Sequence, residues 1–287
     1  MAEVVILGSA QDGGVPHAGC ICDTCRAARR DPSRRRLPAS LGIRSGDDWL
    51  IVDATSAFEE QMHTLWSRRP SSVGHAAERY RPPESIIITH AHTGHYTGLW
   101  QLDRSVLAAP GTRILAPPLT AGLLRSNEPW ARMAVDGFIA IEPFGWDAVL
   151  EPVEGVVVTP LEVPHRSEWP TDTAALLIEG PVARLLYLPD IDFWDEWDRD
   201  VVEIVGNVDV AILDGSFWDT PTSPDVPHPP IRETMDRLQA VADAGSTRII
   251  FSHLNHSNPA LIERSPEAAE INRRDYGIAF EGMAFEI

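Results

Sequence analysis

The segment His90-Ala91-His92-Thr93-Gly94-His95 places three imidazoles in six positions directly behind the apolar run Ile86-Ile87-Ile88, and few folds can use such a cluster. A short, wholly apolar run of this kind reads as a buried strand. Side chains alternate along a strand, so His90 and His92 point to one side, and the turn brings His95 back toward them. Three neutral ring nitrogens can then converge on one or two divalent ions. The fold must therefore deliver a strand end to a rim where other ligands gather, with a helix expected to begin near Thr97.

Three further strand ends offer such ligands: Val163-Pro164-His165, Leu188-Pro189-Asp190 and Phe251-Ser252-His253. Each follows an aliphatic run and sits where a loop begins. Singly, each reads as an ordinary satisfied polar residue; beside the triple-histidine turn, they read as ligands. Short strands are also expected at EVVILG (3–8), TRILAP, GVVVTPLEVP, TAALLIEG, ARLLYLPD, VDVAILDG and STRIIFSHLN, and a hairpin spans LGIRSGDDWLIVDAT with its turn at Ser45–Asp48. Phe58, Met62, Leu65 and Trp66 follow helical spacing, and the Pro-rich stretch from Ser67 to Pro83 reads as a loop. Many short strands with a few helices predict two packed sheets with helices outside, an αββα sandwich. No repeat or long linker divides the chain, so residues 1–287 are expected to form one domain.

Cys20-Ile21-Cys22-Asp23-Thr24-Cys25 holds all three cysteines within six positions, too tight and odd in number for a disulfide framework. That spacing lets three thiolates wrap a tetrahedral zinc, with His256 in SHLNH as the expected fourth ligand. A zinc loop is thus expected over about residues 17–36, structural because it leaves no open coordination position.

The net charge of −18 disfavours nucleic acid and anionic membranes as partners. The one basic cluster, Arg26, Arg29, Arg30, Arg34, Arg35 and Arg36, reads as a solvated face. No window reaches the roughly 18 apolar residues of a membrane span, and the N-terminal sequence lacks a leader pattern, so a cytoplasmic protein is expected. Asp214, beside Phe217 and Trp218, and His228, in the Pro-flanked VPHPP, are further candidates for catalysis; for His228 a surface loop is the stronger reading. His17 is placed to reach the site from the first loop, whereas His63 and His75 read as solvent histidines. Trp194, Trp197 and Trp218 lie near predicted rim loops, where packing is the commoner role and substrate stacking the alternative.

HAHTGH followed by a lone His, a lone Asp and a final His resembles the HxHxDH, His, Asp, His pattern of the metallo-β-lactamase superfamily. The resemblance implies that His90, His92 and His165 hold one metal, that His95 and His253 hold a second, that Asp190 bridges them, and that Asp53 supports a ligand from behind. Gly94 departs from the pattern, which carries an aspartate ligand there. Loss of that donor and its charge predicts a mononuclear site or an unequal pair. VVILGSA, GGVPHAGCICDTC, the segment from Asp214 to Trp218 and HLNHSNPALIERSPEAA, ending in FEGM, resemble the coenzyme PQQ synthesis protein B family over nearly the whole chain. A phosphonate-pathway cyclic phosphodiesterase is similar at the cysteine loop and the His-x-x-His close.

Two activities follow as expectations. One is a hydrolase using zinc or manganese on a small ester, lactone or phosphodiester, with Asp190 positioning the nucleophile. The other is a non-haem iron(II) oxygenase with open positions for O₂, which the synthesis protein B resemblance implies through oxidative tailoring of a tyrosine-derived or small-peptide substrate. A carrier protein without turnover ranks last, and a homodimer is compatible with the sequence.

Overall fold

The computed structural model describes residues 2–68, 81–167, 169–220 and 226–287. Strands β1 (Ala2–Gly8), β2 (Ser40–Ser45), β3 (Asp48–Val52), β4 (Ser85–Ile87), β5 (Thr112–Ala116) and β6 (Ile139–Pro143) lie in its first half. They are followed by β7 (Leu150–Val153), β8 (Val156–Glu162), β9 (Ala174–Glu179), β10 (Arg184–Leu188), β11 (Val210–Asp214), β12 (Arg248–Ser252), β13 (Gly277–Ile278) and β14 (Ala284–Glu286). One sheet has the order β14-β1-β2-β3-β4-β5-β6, the other β13-β12-β11-β10-β9-β8-β7. The last strand returns to the first sheet, where Val4 pairs with Phe285, so the two ends of the chain are built into one layer.

Alternation along the strands decides what each layer buries. In β3, Leu50 and Val52 enter the core between the sheets, while Trp49 and Ile51 face the opposite way. In β10, Leu185 and Tyr187 point to the inter-sheet core, and Leu186 and Leu188 to the other face. Both faces are apolar because helices cover the outsides. Phe58, Met62 and Leu65 of the helix Phe58–Ser67 cover the first sheet, and Met235 and Leu238 of the helix Ile231–Ala244 cover the second. The result is the expected αββα sandwich. Each fully buried Leu or Ile contributes about 1.5–3 kcal/mol relative to exposure.

Several local expectations change. The helix placed near Thr97 starts earlier, at Thr93, with His92 at the N-cap position of a single turn (Thr93–Tyr96), before the chain tightens to 3-10 geometry over Thr97–Leu102. Gly98 permits this: its amide donates to Ala54 O, and a Cβ there would lie 2.0 Å from Thr55 O. β6, β7, β13 and β14 were not legible, because short strands at or near sheet edges owe their existence to pairing rather than to their own pattern. Trp194 and Trp197 are buried, donating to Thr234 Oγ1 and Glu162 O, so they pack the core rather than offer a stacking surface; Trp218 is half-buried against the same cluster. His63 is exposed as expected; His75 and most of the Pro-rich loop lie outside the described residues. Among the described residues no helix is long and apolar enough to cross a membrane.

Candidate metal centre

Strands β3 to β6 run parallel, as do β10 to β13, and their C-terminal ends open on one rim. Asp53 follows β3, Thr89 to His95 follow β4, His165 follows β8, Asp190 follows β10, Asp214 closes β11 and His253 follows β12. Asp53 and His253 both adopt left-handed backbone (φ 66° and 60°), a conformation costly for non-glycine residues that the packed strand ends enforce.

The rim brings all six expected ligands together. His92 Nδ1 lies 3.0 Å from His90 Nε2 and 3.1 Å from His165 Nε2. Asp190 stands between this triad and the other pair: Oδ1 is 3.7 Å from His165 Nε2, and Oδ2 is 3.5 Å from His95 Nε2 and 3.3 Å from His253 Nε2. Four of the rings are fixed from behind through their Nδ1 atoms. His90 meets Thr89 Oγ1 at 3.0 Å, His95 meets Asp53 Oδ2 at 2.8 Å, His165 meets Asp192 Oδ1 at 2.8 Å and His253 meets Ser216 Oγ at 3.0 Å. This leaves each Nε2 aimed at the centre, the arrangement that orients metal-binding imidazoles. Asp53 thus takes the supporting role that the resemblance implied. Asp192 and Ser216 were not anticipated as supports: Asp192 lies two residues past Asp190, and Ser216 falls in the segment from Asp214 to Trp218 that carries the family resemblance, but neither position points to the ring it holds.

The donor set fits divalent cations. His95 Nε2, His253 Nε2 and Asp190 Oδ2 are buried without hydrogen-bond partners, a cost that an ion bound among them removes. Burial pushes His90 well below the usual imidazole range and His92 down to about 4, so both are neutral donors. Burial opposes ionisation of Asp190, but the surrounding His253, His90, His165 and His95 hold its carboxyl well below the usual range. His95 is raised against its burial by Asp53 and Asp12, which marks a spot of concentrated negative potential.

That last contact bears on Gly94. The carboxylate missing from the turn is replaced in space by Asp12 of the first loop, whose Oδ1 is 3.2 Å from His95 Nε2 and 3.6 Å from His253 Nε2. The mononuclear expectation, which counted no carboxylate beside His95 other than Asp190, did not include this one. The loop letters Gln11-Asp12-Gly13-Gly14 gave no sign of this long-range approach.

His228 is not a surface residue. It is 4% exposed, its Nδ1 lies 2.6 Å from Asp214 Oδ2, and it lines a cavity of about 460 Å³ with His92, Asp190, Arg166 and Trp169. Burial opposes its protonation, but Asp214 outweighs burial and raises its pKa. His17 reaches the same cavity.

At the second cluster, Cys20 Sγ and Cys22 Sγ lie 3.6 and 3.7 Å from His256 Nδ1, with Cys25 in the same group. A tetrahedral zinc with bonds of about 2.3 Å to sulfur and 2.0–2.1 Å to nitrogen separates such atoms by about 3.6 Å. Amides of His17, Cys22 and Cys25 donate to the sulfurs of Cys25, Cys20 and Cys22, as suits thiolates. Arg29, from the basic cluster, donates to Cys20 O and His17 O and braces this loop.

A beta-lactamase superfamily domain matches residues 48–254, and the chain belongs to that superfamily, with its metallo-β-lactamase fold. Within it, the chain is similar to coenzyme PQQ synthesis protein B of Methylobacterium radiotolerans, at 29% identity over 99% of this chain and 100% of the relative. The crystal structure of zinc-bound PqqB from Methylobacterium extorquens superposes with a TM-score of 0.81 at 25% identity, covering 99% of this chain and all of that one. A diphosphatase of the PhnP family shares the fold, with a TM-score of 0.71 at 20% identity over 100% of this chain and 98% of that one.

Proposed function

We propose that this chain is a metal-dependent hydrolase that cleaves a small ester, lactone or phosphodiester, acting in coenzyme PQQ-like cofactor synthesis as its full-length relatives' name indicates. His90, His92, His165 and Asp190 would hold one divalent ion, and His95, His253 and Asp190 a second; zinc or manganese suits this nitrogen and carboxylate set. Such ions, when bound, polarise the scissile group and bring the pKa of water toward neutrality. Cys20, Cys22, Cys25 and His256 would hold a structural zinc with no catalytic part.

The observation that carries the reading is the buried Asp214–His228 pair on the cavity wall. Asp214 fixes the ring through Nδ1 and favours its protonated form, while His228 Nε2 lies near Gln11, another wall residue. His228 is thereby placed to give a proton to the leaving oxygen as the ester bond breaks. Asp190, held ionised at the centre within the same cavity lining, would orient the attacking water. Arg166 and Trp169 supply a cation and an apolar face for a small anionic substrate.

The test is hydrolysis of bis(p-nitrophenyl) phosphate and p-nitrophenyl esters by protein reconstituted separately with zinc, manganese and iron(II). Turnover that falls in His228→Gln at unchanged metal content supports the reading. The full-length likeness to synthesis protein B favours a second one, an iron(II) oxygenase acting on a tyrosine-derived or peptide substrate. O₂ consumption with iron alone, and no hydrolysis with any metal, would select it.

A further inference from the structure

The space beside Gly94 is filled by Asp12. A Cβ built on Gly94 would lie 2.4 Å from Asp12 Cβ and 2.5 Å from Asp12 Cα, so the bare backbone at 94 is what admits the first loop to the rim. Once admitted, Asp12 presents Oδ1 to His95 Nε2 at 3.2 Å and to His253 Nε2 at 3.6 Å, the two buried ring nitrogens that lack a hydrogen-bond partner. Asp190 Oδ2, also unpartnered, approaches the same two nitrogens at 3.5 and 3.3 Å. Two carboxylates from separate segments thus approach the same pair of ring nitrogens.

The loop is secured where it matters. Leu254 N donates to Ser9 O, Gln11 N donates to Leu254 O, and Asn255 Nδ2 donates to Gln11 Oε1. These bonds pin residues 9–11 to the two residues that follow His253 and precede His256. The cysteine cluster grips the other end of the same loop through His256. Asp12 and Gly94 form a matched pair, and the match to the superfamily domain, which begins at residue 48, leaves Asp12 outside it.

Resting on the metal-binding reading above, we infer that Asp12 is a ligand of the second ion, supplied by the N-terminal loop in place of a carboxylate at position 94, so that the centre binds two ions rather than one. The pair also makes the N-terminal loop a part of the active centre: anything that shifts residues 9–14 shifts a ligand.

The experiment is zinc stoichiometry of the full chain after reconstitution with zinc(II) and desalting, measured by elemental analysis and by competition with a chromophoric chelator. Wild type is expected to retain about three ions per chain, two in the centre and one at the cysteines. Asp12→Ala is expected to retain about two, or to hold the third more than about tenfold more weakly. Because the Asp12 side chain is 41% exposed, this variant should keep its fold, verified by its melting curve. Gly94→Ala removes no donor atom, yet its methyl collides with Asp12 and should cost the same ion. In both variants the cysteine-bound ion, read from protection of the thiols against alkylation, stays in place. Three ions with an unchanged competition curve in Asp12→Ala would overturn the inference while leaving the metal-binding reading intact. Loss in Asp12→Ala but not in Gly94→Ala would overturn the pairing, and a wild type holding only the cysteine-bound ion would overturn the reading itself.

Discussion

His228 Nδ1 lies 2.6 Å from Asp214 Oδ2, and both side chains are buried at the wall of the cavity that contains Asp190 and His92. Asp214 also accepts from the amides of Ser216 at 2.9 Å and Ile191 at 3.2 Å. The carboxylate is thus fixed by the backbone of two loops, and the imidazole is fixed by the carboxylate.

A proton donor held in this way should matter to turnover and not to metal content. His228→Gln is expected to lower kcat by about 10²–10⁴-fold, the usual range for a positioned acid or base. Asp214→Asn should give a similar loss through the wrong tautomer. Steady-state kinetics alongside elemental analysis checks both; a fall in bound metal that accounts for the lost rate would remove the dyad from the chemistry.

The cysteine cluster joins the first loop to the segment after β12, so removing it should loosen a contact between distant parts of the chain. Cys22→Ala is expected to lose one zinc and several kcal/mol of stability, on the order of a structural site's contribution. Thermal unfolding with and without a chelator measures this. A variant that melts with wild type would show that the packing of Ala10, Val15 and Ala28 holds the loop unaided.

How legible this was depends on whether a feature is local. His90, His92 and His95 sit within one turn, and His165, Asp190 and His253 end aliphatic strands, so periodicity and position exposed them. The sandwich followed from strands such as β10 and β12, whose apolar residues alone outnumber what one buried face needs. Asp12, Asp192 and Ser216 were invisible because each acts through a partner far along the chain: Asp12 reaches His95 and Ser216 reaches His253. His228 misled for the same reason, since proline neighbours suggest an exposed loop while Asp214, fourteen residues earlier, pulls the ring inside.

Glu281 ties the C-terminal segment to the first loop and predicts a pH effect. Its Oε1 accepts from Leu37 N at 2.9 Å and Ser9 Oγ at 3.1 Å, and Arg36 lies 3.6 Å from Oε2. Burial is the largest influence and raises its pKa above the ordinary 4.5, against the opposing pull of Arg36 and the donated hydrogen bonds. A carboxyl with a raised folded value contributes stability that is fully present below 4.5 and is lost as pH rises through that raised value. Glu281→Gln should abolish this dependence, so the difference in stability between wild type and variant shifts against wild type from acid toward neutral pH. Urea titrations at several pH values check the sign; an opposite trend would mean that Arg36 and the amide donors dominate.

Asp192 offers the sharpest separation of ligand from support. It touches no other expected ligand, yet it accepts from His165 Nδ1 at 2.8 Å and from the Arg166 amide at 2.9 Å. Its charge favours the tautomer in which His165 Nε2 is the free donor, and its position sets the ring's angle. Arg166 Nη1 donates to Asp192 Oδ1, the oxygen that also meets His165 Nδ1, at 3.2 Å, so Asp192 also fixes the guanidinium on the cavity wall. Asp192→Asn keeps the volume and one accepting oxygen while removing the charge. It is expected to weaken metal affinity by about 10–100-fold with the fold intact, and to raise KM for an anionic substrate as Arg166 loses its anchor. Metal competition and kinetics at saturating metal resolve the two effects. An unchanged affinity would mean that His165 is oriented by packing alone, and an unchanged KM that Arg166 takes no part in substrate binding.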